Sequence, residues 1–233
     1  MGEQILTEAA LADVAASLEG KEPQAALQWA FEHFGMADIA LACSFGAEDV
    51  ALVDMVARLR PGTRVFYLDT NLLFSETYEL IDRVKARYDI KLERVLPLLS
   101  LEEQAGQHGD ALWSREPDSC CGIRKVEPLK RALGTMNAWI TGIRREQAPT
   151  RANAKMVEWD AKFGLVKINP LVAWTDKDVW RYIMANGVPY NPLHDQGYPS
   201  IGCTHCTRAV KPGEDPRAGR WSSFAKTECG LHK

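Results

Sequence analysis

The chain has 233 residues, of which 46% are hydrophobic, and a formal net charge of −3 at pH 7. This length predicts one domain with a sizeable core, and the acidic balance argues against a general nucleic-acid-binding protein. Because there is no run of about 18 apolar residues and no basic-then-apolar leader, we expect a cytoplasmic protein without a membrane span or signal peptide.

The N-terminal third of the sequence predicts a helical start followed by a strand–loop–helix unit. Apolar spacing predicts helices over residues 7–34, interrupted between Gly20 and Pro23. Ile39 to Ala42 is the apolar run of a buried strand, and helical periodicity resumes from Glu48 to Leu59. Between them, loop amides and the Ser44 hydroxyl meet the positive end of the helix dipole, which favours an anion site. The loop alone is equally compatible with an ordinary turn.

Further strands and helices alternate along the chain. Strands are predicted at Arg64 to Leu68, Lys91 to Leu96, Ala138 to Ile143 and Leu165 to Ile168. Helices are predicted from an N-cap at Ser75 to Tyr88, from about Cys121 to Leu133, and from an N-cap at Thr175 to Asn186, ended by Gly187. This alternation predicts an α/β fold with a mostly parallel sheet flanked by helices.

Ligands of such sheets bind beyond the carboxyl ends of the strands. We therefore expect three polar strand ends to share one crevice: Ser44-Phe45-Gly46, Asp69-Thr70 and Gly142 to Arg145. Acidic residues dominate positions 1–60 and basic residues dominate positions 115–155. A local basic concentration in an acidic protein indicates a pocket for a small anion.

Beyond Asn191 the regular pattern fades, and glycine, proline and charged residues accumulate from Lys211 to Arg217. We therefore predict a single α/β nucleotide-binding domain over residues 1–210 and a mobile C-terminal tail over residues 211–233.

Four of the six cysteines indicate a metal site. Cys203 and Cys206 have the two-residue spacing that lets two thiolates face one metal, although a CxxC alone could also be a redox dithiol. With the adjacent pair Cys120-Cys121 they make four soft ligands, which suit structural zinc or an iron–sulfur cluster equally. Cys43 ends a buried strand, and we interpret it as a core residue.

Cys229 is set apart from the other cysteines by its position close to the chain end. It lies in a polar, glycine-containing segment, Glu228-Cys229-Gly230-Leu231-His232, with Lys226 nearby. A thiol near Lys226 and His232 could ionise readily and act as a nucleophile, and an incidental tail cysteine is the alternative.

Together these motifs resemble the assimilatory adenylyl-sulfate (APS) reductases, within the phosphoadenylyl-sulfate (PAPS) reductase superfamily. The resemblance spans almost the whole chain and rests on the following segments: Ser44-Phe45-Gly46-Ala47-Glu48-Asp49, Leu68-Asp69-Thr70, Cys120-Cys121-Gly122-Ile123-Arg124-Lys125, Thr141-Gly142-Ile143-Arg144-Arg145, Cys203-x-x-Cys206 and Glu228 to His232. It implies the adenine nucleotide α-hydrolase-like (PP-loop) fold, related to ATP pyrophosphatases.

Two departures from the related patterns stand out. The pyrophosphatase loop has a second glycine and a closing serine where this chain has Ala47 and Asp49, which argues against an ATP-pyrophosphate site. Asn71 stands where many relatives have glycine after Leu-Asp-Thr.

The resemblance also implies a reaction and a set of site residues. Thioredoxin or a glutaredoxin-like protein would drive the reduction of APS to sulfite and AMP through an S-sulfocysteine on Cys229, in sulfate assimilation and cysteine biosynthesis. Cys120, Cys121, Cys203 and Cys206 would hold one 4Fe–4S cluster, and Lys125 would lie between the cluster and the substrate. Substrate contacts would come from Ser44, Phe45, Gly46, Asp69, Thr70 and a clamp made of Arg144, Arg145, Arg151, Arg217 and Arg220.

Three alternatives stay open at this point. The substrate could be PAPS, or both APS and PAPS. The four thiolates could instead build a zinc-stabilised binding module, and the nucleotide fold could serve an ATP-pyrophosphatase-type adenylating enzyme. The sequence predicts no nucleic-acid or membrane partner, and it leaves open whether the chain forms a homo-oligomer.

Overall fold

The computed structural model describes residues 7–226 and 228–231. His232, the last residue of the C-terminal motif, lies outside them. A six-stranded sheet has the order β3-β2-β1-β4-β6-β5, and every neighbouring pair is parallel except β5 with β6. Its strands are β1 Ile39–Ala42, β2 Thr63–Leu68, β3 Ile90–Val95, β4 Ala138–Ile140, β5 Val157–Asp160 and β6 Leu165–Ile168. The predicted mostly parallel α/β fold is confirmed.

Helices cover both faces of this sheet. They are α1 Glu8–Leu18, α2 Pro23–His33, α3 Ala47–Leu59, α4 Ser75–Arg87, α5 Leu101–His108, α6 Leu112–Arg115, α7 Pro117–Cys121, α8 Glu127–Leu133 and α9 Asp176–Asn186. None of the helices in the described part of the chain is both long enough and apolar enough to span a membrane.

The alternation of side chains in the central strands explains why both sheet faces are buried. In β1, Ile39 and Leu41 belong to the larger core cluster, together with residues of α2 and α3. Ala40 points the other way and joins a smaller cluster with Phe66 and Leu129. Since successive strand residues face opposite sides, a strand between two helical layers must be apolar throughout.

The structure corrects several predicted boundaries. Ser75 is the first residue of α4 and Phe74 occupies the N-cap, so the predicted Ser75 cap is wrong. Strand β4 ends at Ile140, three residues before the predicted end, and the residues from Thr141 to Ile143 line a cavity. Strand β5 and helices α5 and α6 were not predicted. For α5 a local signal existed, since Ser100 and Glu103 form a capping box.

The helix predicted from Cys121 to Leu133 is present but is not α-helical throughout. A π-helical turn, Gly122–Val126, separates α7 from α8. Pro128 explains the wider turn, because a proline lacks the N–H for an α-helical hydrogen bond and its ring collides with the carbonyl four residues earlier. Lys125 lies within this turn.

The departure at Asn71 now has a physical reason. Asn71 adopts a left-handed backbone conformation with φ of 59°, and its N–H donates to Asp69 Oδ1 at 2.8 Å. Glycine adopts this conformation without strain, and asparagine does so more readily than other residues. Asparagine is therefore compatible with the left-handed conformation of this turn.

Candidate active site

A cavity of about 480 Å³ opens at the carboxyl ends of the parallel strands. The loop after β1 and the loop after β4 form one side, and residues of the C-terminal segment form the other. Nine of the twelve predicted catalytic and substrate-binding residues line it: Ser44, Phe45, Gly46, Lys125, Arg144, Arg151, Arg217, Arg220 and Cys229. The structure thus brings together groups drawn from both ends of the chain.

The loop after β1 is closed by an internal carboxylate. The backbone N–H and the hydroxyl of Ser44 both donate to Asp49 Oδ2, each at 2.6 Å. Phe45 adopts a left-handed conformation with φ of 61° and packs edge-on against Tyr67 with ring centroids 5.5 Å apart. Asp49 therefore occupies the Ser44 hydroxyl and one of the loop amides that the predicted anion site includes.

Asp49 is buried beside the loop after β4. A Cβ at Gly142 would collide with Asp49 Oδ1, so glycine makes the room that this carboxyl needs. Burial raises the pKa of Asp49 to about 6, although the two Ser44 hydrogen bonds act in the opposite direction.

The basic residue Arg144 lines the cavity but is surrounded by acids. Its side chain is 6% exposed and lies 2.8 Å from Glu48 Oε1, 3.6 Å from Glu146 and 3.5 Å from Asp176. These carboxylates fix the guanidinium at the cavity wall and balance its charge.

Three predicted substrate contacts do not line the cavity. Arg145 turns away and pairs with Glu19 at 2.7 and 2.9 Å, which joins the loop after β4 to the end of α1. Asp69 is fully buried and accepts hydrogen bonds from Tyr78 at 2.7 Å and Arg94 at 2.7 Å. The Thr70 hydroxyl lies 3.3 Å from Cys203 Sγ, towards the cysteine-lined cavity described below.

Glu228, which the sequence reasoning did not assign to the site, contacts two of the predicted clamp residues. Arg151 Nε and Nη2 each donate to Glu228 at 3.0 Å, and Arg217 Nη2 donates to it at 3.4 Å. Arg220 lies across the ring of Trp221, with Cζ 4.6 Å from the centroid, and its Nη1 donates to Ser200 at 3.1 Å. Within the described residues the buried Arg220 Nε has no hydrogen-bond partner.

A second, smaller cavity is lined by Cys120, Cys121, Cys203 and Cys206, and all four are free thiols. Burial raises the pKa of Cys120 to about 11, and the three neighbouring thiols add to the increase. Gathering four thiolates here therefore requires a compensating positive charge, which a metal centre provides.

Among residues 7–226 and 228–231, no three His, Cys, Asp or Glu side chains converge as binding of one metal ion requires.

Lys125 lines both the cysteine cavity and the larger cavity. Burial lowers the pKa of Lys125, but the charges of Cys203 and Cys229 outweigh this effect, so that its pKa is raised overall. Lys226, which the sequence analysis names as a neighbour of Cys229, contacts Asp118 at 2.5 Å. The lysine that shares the larger cavity with Cys229 is therefore Lys125.

The family relationship follows from comparison with known proteins. The phosphoadenosine phosphosulfate reductase domain matches residues 38–209. The chain belongs to this family. A protein named adenosine 5'-phosphosulfate reductase from Halalkalibacterium halodurans is 50% identical over 95% of this chain and 96% of its own. Adenosine 5'-phosphosulfate reductase 1 of Bacillus subtilis is 52% identical over 89% of each chain.

Solved structures agree with this membership of the phosphoadenosine phosphosulfate reductase family. A Candida auris phosphoadenylyl-sulfate reductase, determined as a phosphate complex, has a TM-score of 0.77 and 35% identity, covering 90% of this chain and 100% of its own. A Candida glabrata FMN adenylyltransferase has a TM-score of 0.60 at 15% identity over 92% of this chain and 72% of its own, which shows the fold alone. The predicted PP-loop-type fold is confirmed.

The Asp49 carboxyl should lose its proton near pH 6 instead of near its ordinary value of 3.8, because burial disfavours its charged form. Infrared difference spectra of wild type against Asp49→Asn, recorded between about pH 4 and pH 8, should show a protonated-carboxyl band that disappears near this pH. A spectrum without that band at about pH 5 would contradict the assignment.

Proposed function

We propose that the protein reduces adenylyl sulfate to sulfite and AMP, in sulfate assimilation and cysteine biosynthesis in the cytoplasm. The observation that carries the proposal is the position of Cys229, whose thiol shares a cavity with Lys125 at the carboxyl ends of the strands. The relatives named adenosine 5'-phosphosulfate reductase support the choice of substrate.

Substrate recognition is proposed to combine the loop after β1 with the basic residues. Ser44, Phe45 and Gly46 would contact the nucleotide. Lys125 and four of the five clamp arginines would face the phosphosulfate: Arg144, Arg151, Arg217 and Arg220. Asp69, Thr70 and Arg145 lie outside the cavity lining, so we assign them an indirect part, holding the strand ends in place.

The first chemical step is a thiolate attack on sulfur. The substrate sulfur is electrophilic but surrounded by negative charge, which cationic donors neutralise. The Cys229 thiolate forms a bond to this sulfur, and the bond between sulfur and the bridging phosphate oxygen breaks, with its electron pair leaving on AMP. The product is an S-sulfocysteine.

The second step releases sulfite and requires a dithiol. One thiolate of thioredoxin, or of a glutaredoxin-like protein, attacks Cys229 Sγ, and sulfite leaves with the electron pair of the sulfur–sulfur bond. The second thiol of the reductant then resolves the mixed disulfide and restores Cys229. For this exchange the segment carrying Cys229 has to move away from the cavity.

Cys120, Cys121, Cys203 and Cys206 would hold one 4Fe–4S cluster. When bound, such a cluster would contribute to the local electrostatics without needing to change its redox state. Lys125 would lie between this site and the substrate, since it lines both cavities.

Substrate choice is tested by measuring sulfite formation from APS and from PAPS, side by side, with thioredoxin. We expect kcat/KM for APS to exceed that for PAPS by about tenfold or more, because the four cluster cysteines accompany the APS-using branch of the resemblance. Comparable turnover of both would disprove the preference and leave the chemistry standing. Absence of sulfite from either nucleotide would disprove the proposed function.

Cys229→Ser should lower sulfite formation by more than about a thousandfold, because a serine hydroxyl is not ionised near neutral pH. Iron content and AMP affinity should stay unchanged, since Cys229 is not one of the four cavity cysteines. Wild type incubated with APS alone should gain one SO3 group on the Cys229 peptide by mass spectrometry, and thioredoxin should remove it. An adduct on Cys43 would exclude Cys229 as the nucleophile.

Purified protein should contain iron and labile sulfide and should absorb visible light at about 400 nm. Cys120→Ser and Cys203→Ser should each bleach this absorption and lower the iron content. Cys43→Ala is the matched control, because Cys43 is a buried cysteine outside the four-cysteine set and should leave the iron in place. A colourless, zinc-loaded protein of full activity would disprove the cluster.

A further inference from the structure

The C-terminal segment is docked through a buried carboxylate. Glu228 is 3% exposed, and glutamate at this depth is rare unless it is paired. Its two oxygens meet Nε and Nη2 of Arg151 at 3.0 Å each, the parallel two-bond geometry that a guanidinium offers a carboxylate. Thr150 and Arg217 add contacts at 3.4 Å.

The partner of Glu228 is itself anchored to the rigid part of the fold. Arg151 Nη1 donates to the Gln147 side chain, and Gln147 Nε2 donates to the Gly142 carbonyl at 3.3 Å. The Gln147 side chain also accepts from the Arg144 N–H at 3.0 Å. A continuous series of hydrogen bonds thus runs from the loop after β4 to Glu228, the residue immediately before Cys229.

The other contacts of the segment 228–231 are not ion pairs. Lys162 Nζ donates to the Gly230 carbonyl, and Leu231 packs against the smaller core cluster. Among the described residues of the segment 228–231, Glu228 is therefore the residue that forms ion pairs. A paired charge of this kind can hold a segment firmly and still separate when both partners regain water.

We propose that Glu228 is a positioning residue for the reaction at Cys229. Its ion pairs with Arg151 and Arg217 dock the segment so that the Cys229 thiol faces the cavity, and their release exposes the thiol to a dithiol protein. This role rests on the proposed function only for the step with APS, since docking itself needs no substrate.

The first experiment measures docking alone. Cys229 of the iron-loaded protein is alkylated with iodoacetamide without nucleotide, and the rate is followed on the Cys229 peptide by mass spectrometry. Glu228→Gln keeps the size but loses the charge, so we expect alkylation at least about tenfold faster than in wild type. Glu214→Gln is the matched control, because Glu214 pairs with Arg208 at 2.9 Å elsewhere in the same tail. It should react like wild type.

The second experiment measures positioning in a single turnover with APS. At saturating APS, Glu228→Gln should form the Cys229 adduct at least about tenfold more slowly, while AMP affinity changes by less than about twofold. Glu228→Asp, which retains the charge, should recover part of the rate. A purely structural defect would instead lower AMP affinity and iron content together.

Each outcome decides the proposal. Equal alkylation rates for wild type and Glu228→Gln would overturn it. Tighter APS binding by Glu228→Gln with an unchanged rate of adduct formation would also overturn it, because Glu228 would then be a competitor of the substrate. If no nucleotide yields an adduct in any variant, the proposed function fails while the alkylation result still decides docking. If Glu228→Gln does not fold, Arg151→Lys, which loses the two-bond geometry, replaces it and should also react faster.

Discussion

Parallel pairing of β1 with β2 on one side and with β4 on the other is the constraint on which the site depends. Because parallel strands end at the same edge, this pairing brings the loop after β1 beside the loop after β4. Gly142 and Asp49 meet there with no room for a further methyl group. The position of the cavity is therefore a consequence of strand order.

Carboxylates of the protein itself accept hydrogen bonds from the polar and cationic groups around this cavity. Asp49 accepts from Ser44, Glu48 pairs with Arg144, and Glu228 pairs with Arg151. Cationic and donor groups that are partly removed from water need such partners, because an unpaired buried charge is costly. An anionic ligand has to share these donors with the carboxylates or displace them, which makes the acids as important to anion binding as the bases.

The two cavities are joined through the π-helical turn. The wide turn before Pro128 carries Lys125, which lines the cysteine cavity on one side and the larger cavity on the other. Burial alone would lower the pKa of Lys125, and the charges of Cys203, Cys229 and Cys121 act against this effect. A helical irregularity at this position fits the tendency of π turns to occur at functional sites.

The sequence by itself determined the features that depend on neighbouring residues. The buried strand β1, the helix α9 between the Thr175 cap and Gly187, and the spacing of Cys203 and Cys206 are all local patterns, and the structure contains them where expected. The same holds for the alternation that produced a mostly parallel sheet. Helix α5 was missed although its Ser100–Glu103 capping box is equally local, because its face is largely polar and gives little periodicity.

Only the tertiary structure decided which charged residues face the cavity. Arg144 and Arg145 are adjacent, yet one lines the cavity and the other pairs with Glu19, 126 positions away. Arg151 meets Glu228 across 77 positions, and Asp69 is enclosed by Tyr78 and Arg94. Periodicity and capping act over one or two helical turns, whereas these partners meet only after the strands have taken their order in the sheet. The sequence therefore identifies the helices, strands and reactive residue types, but the fold sets which charged residues pair with one another.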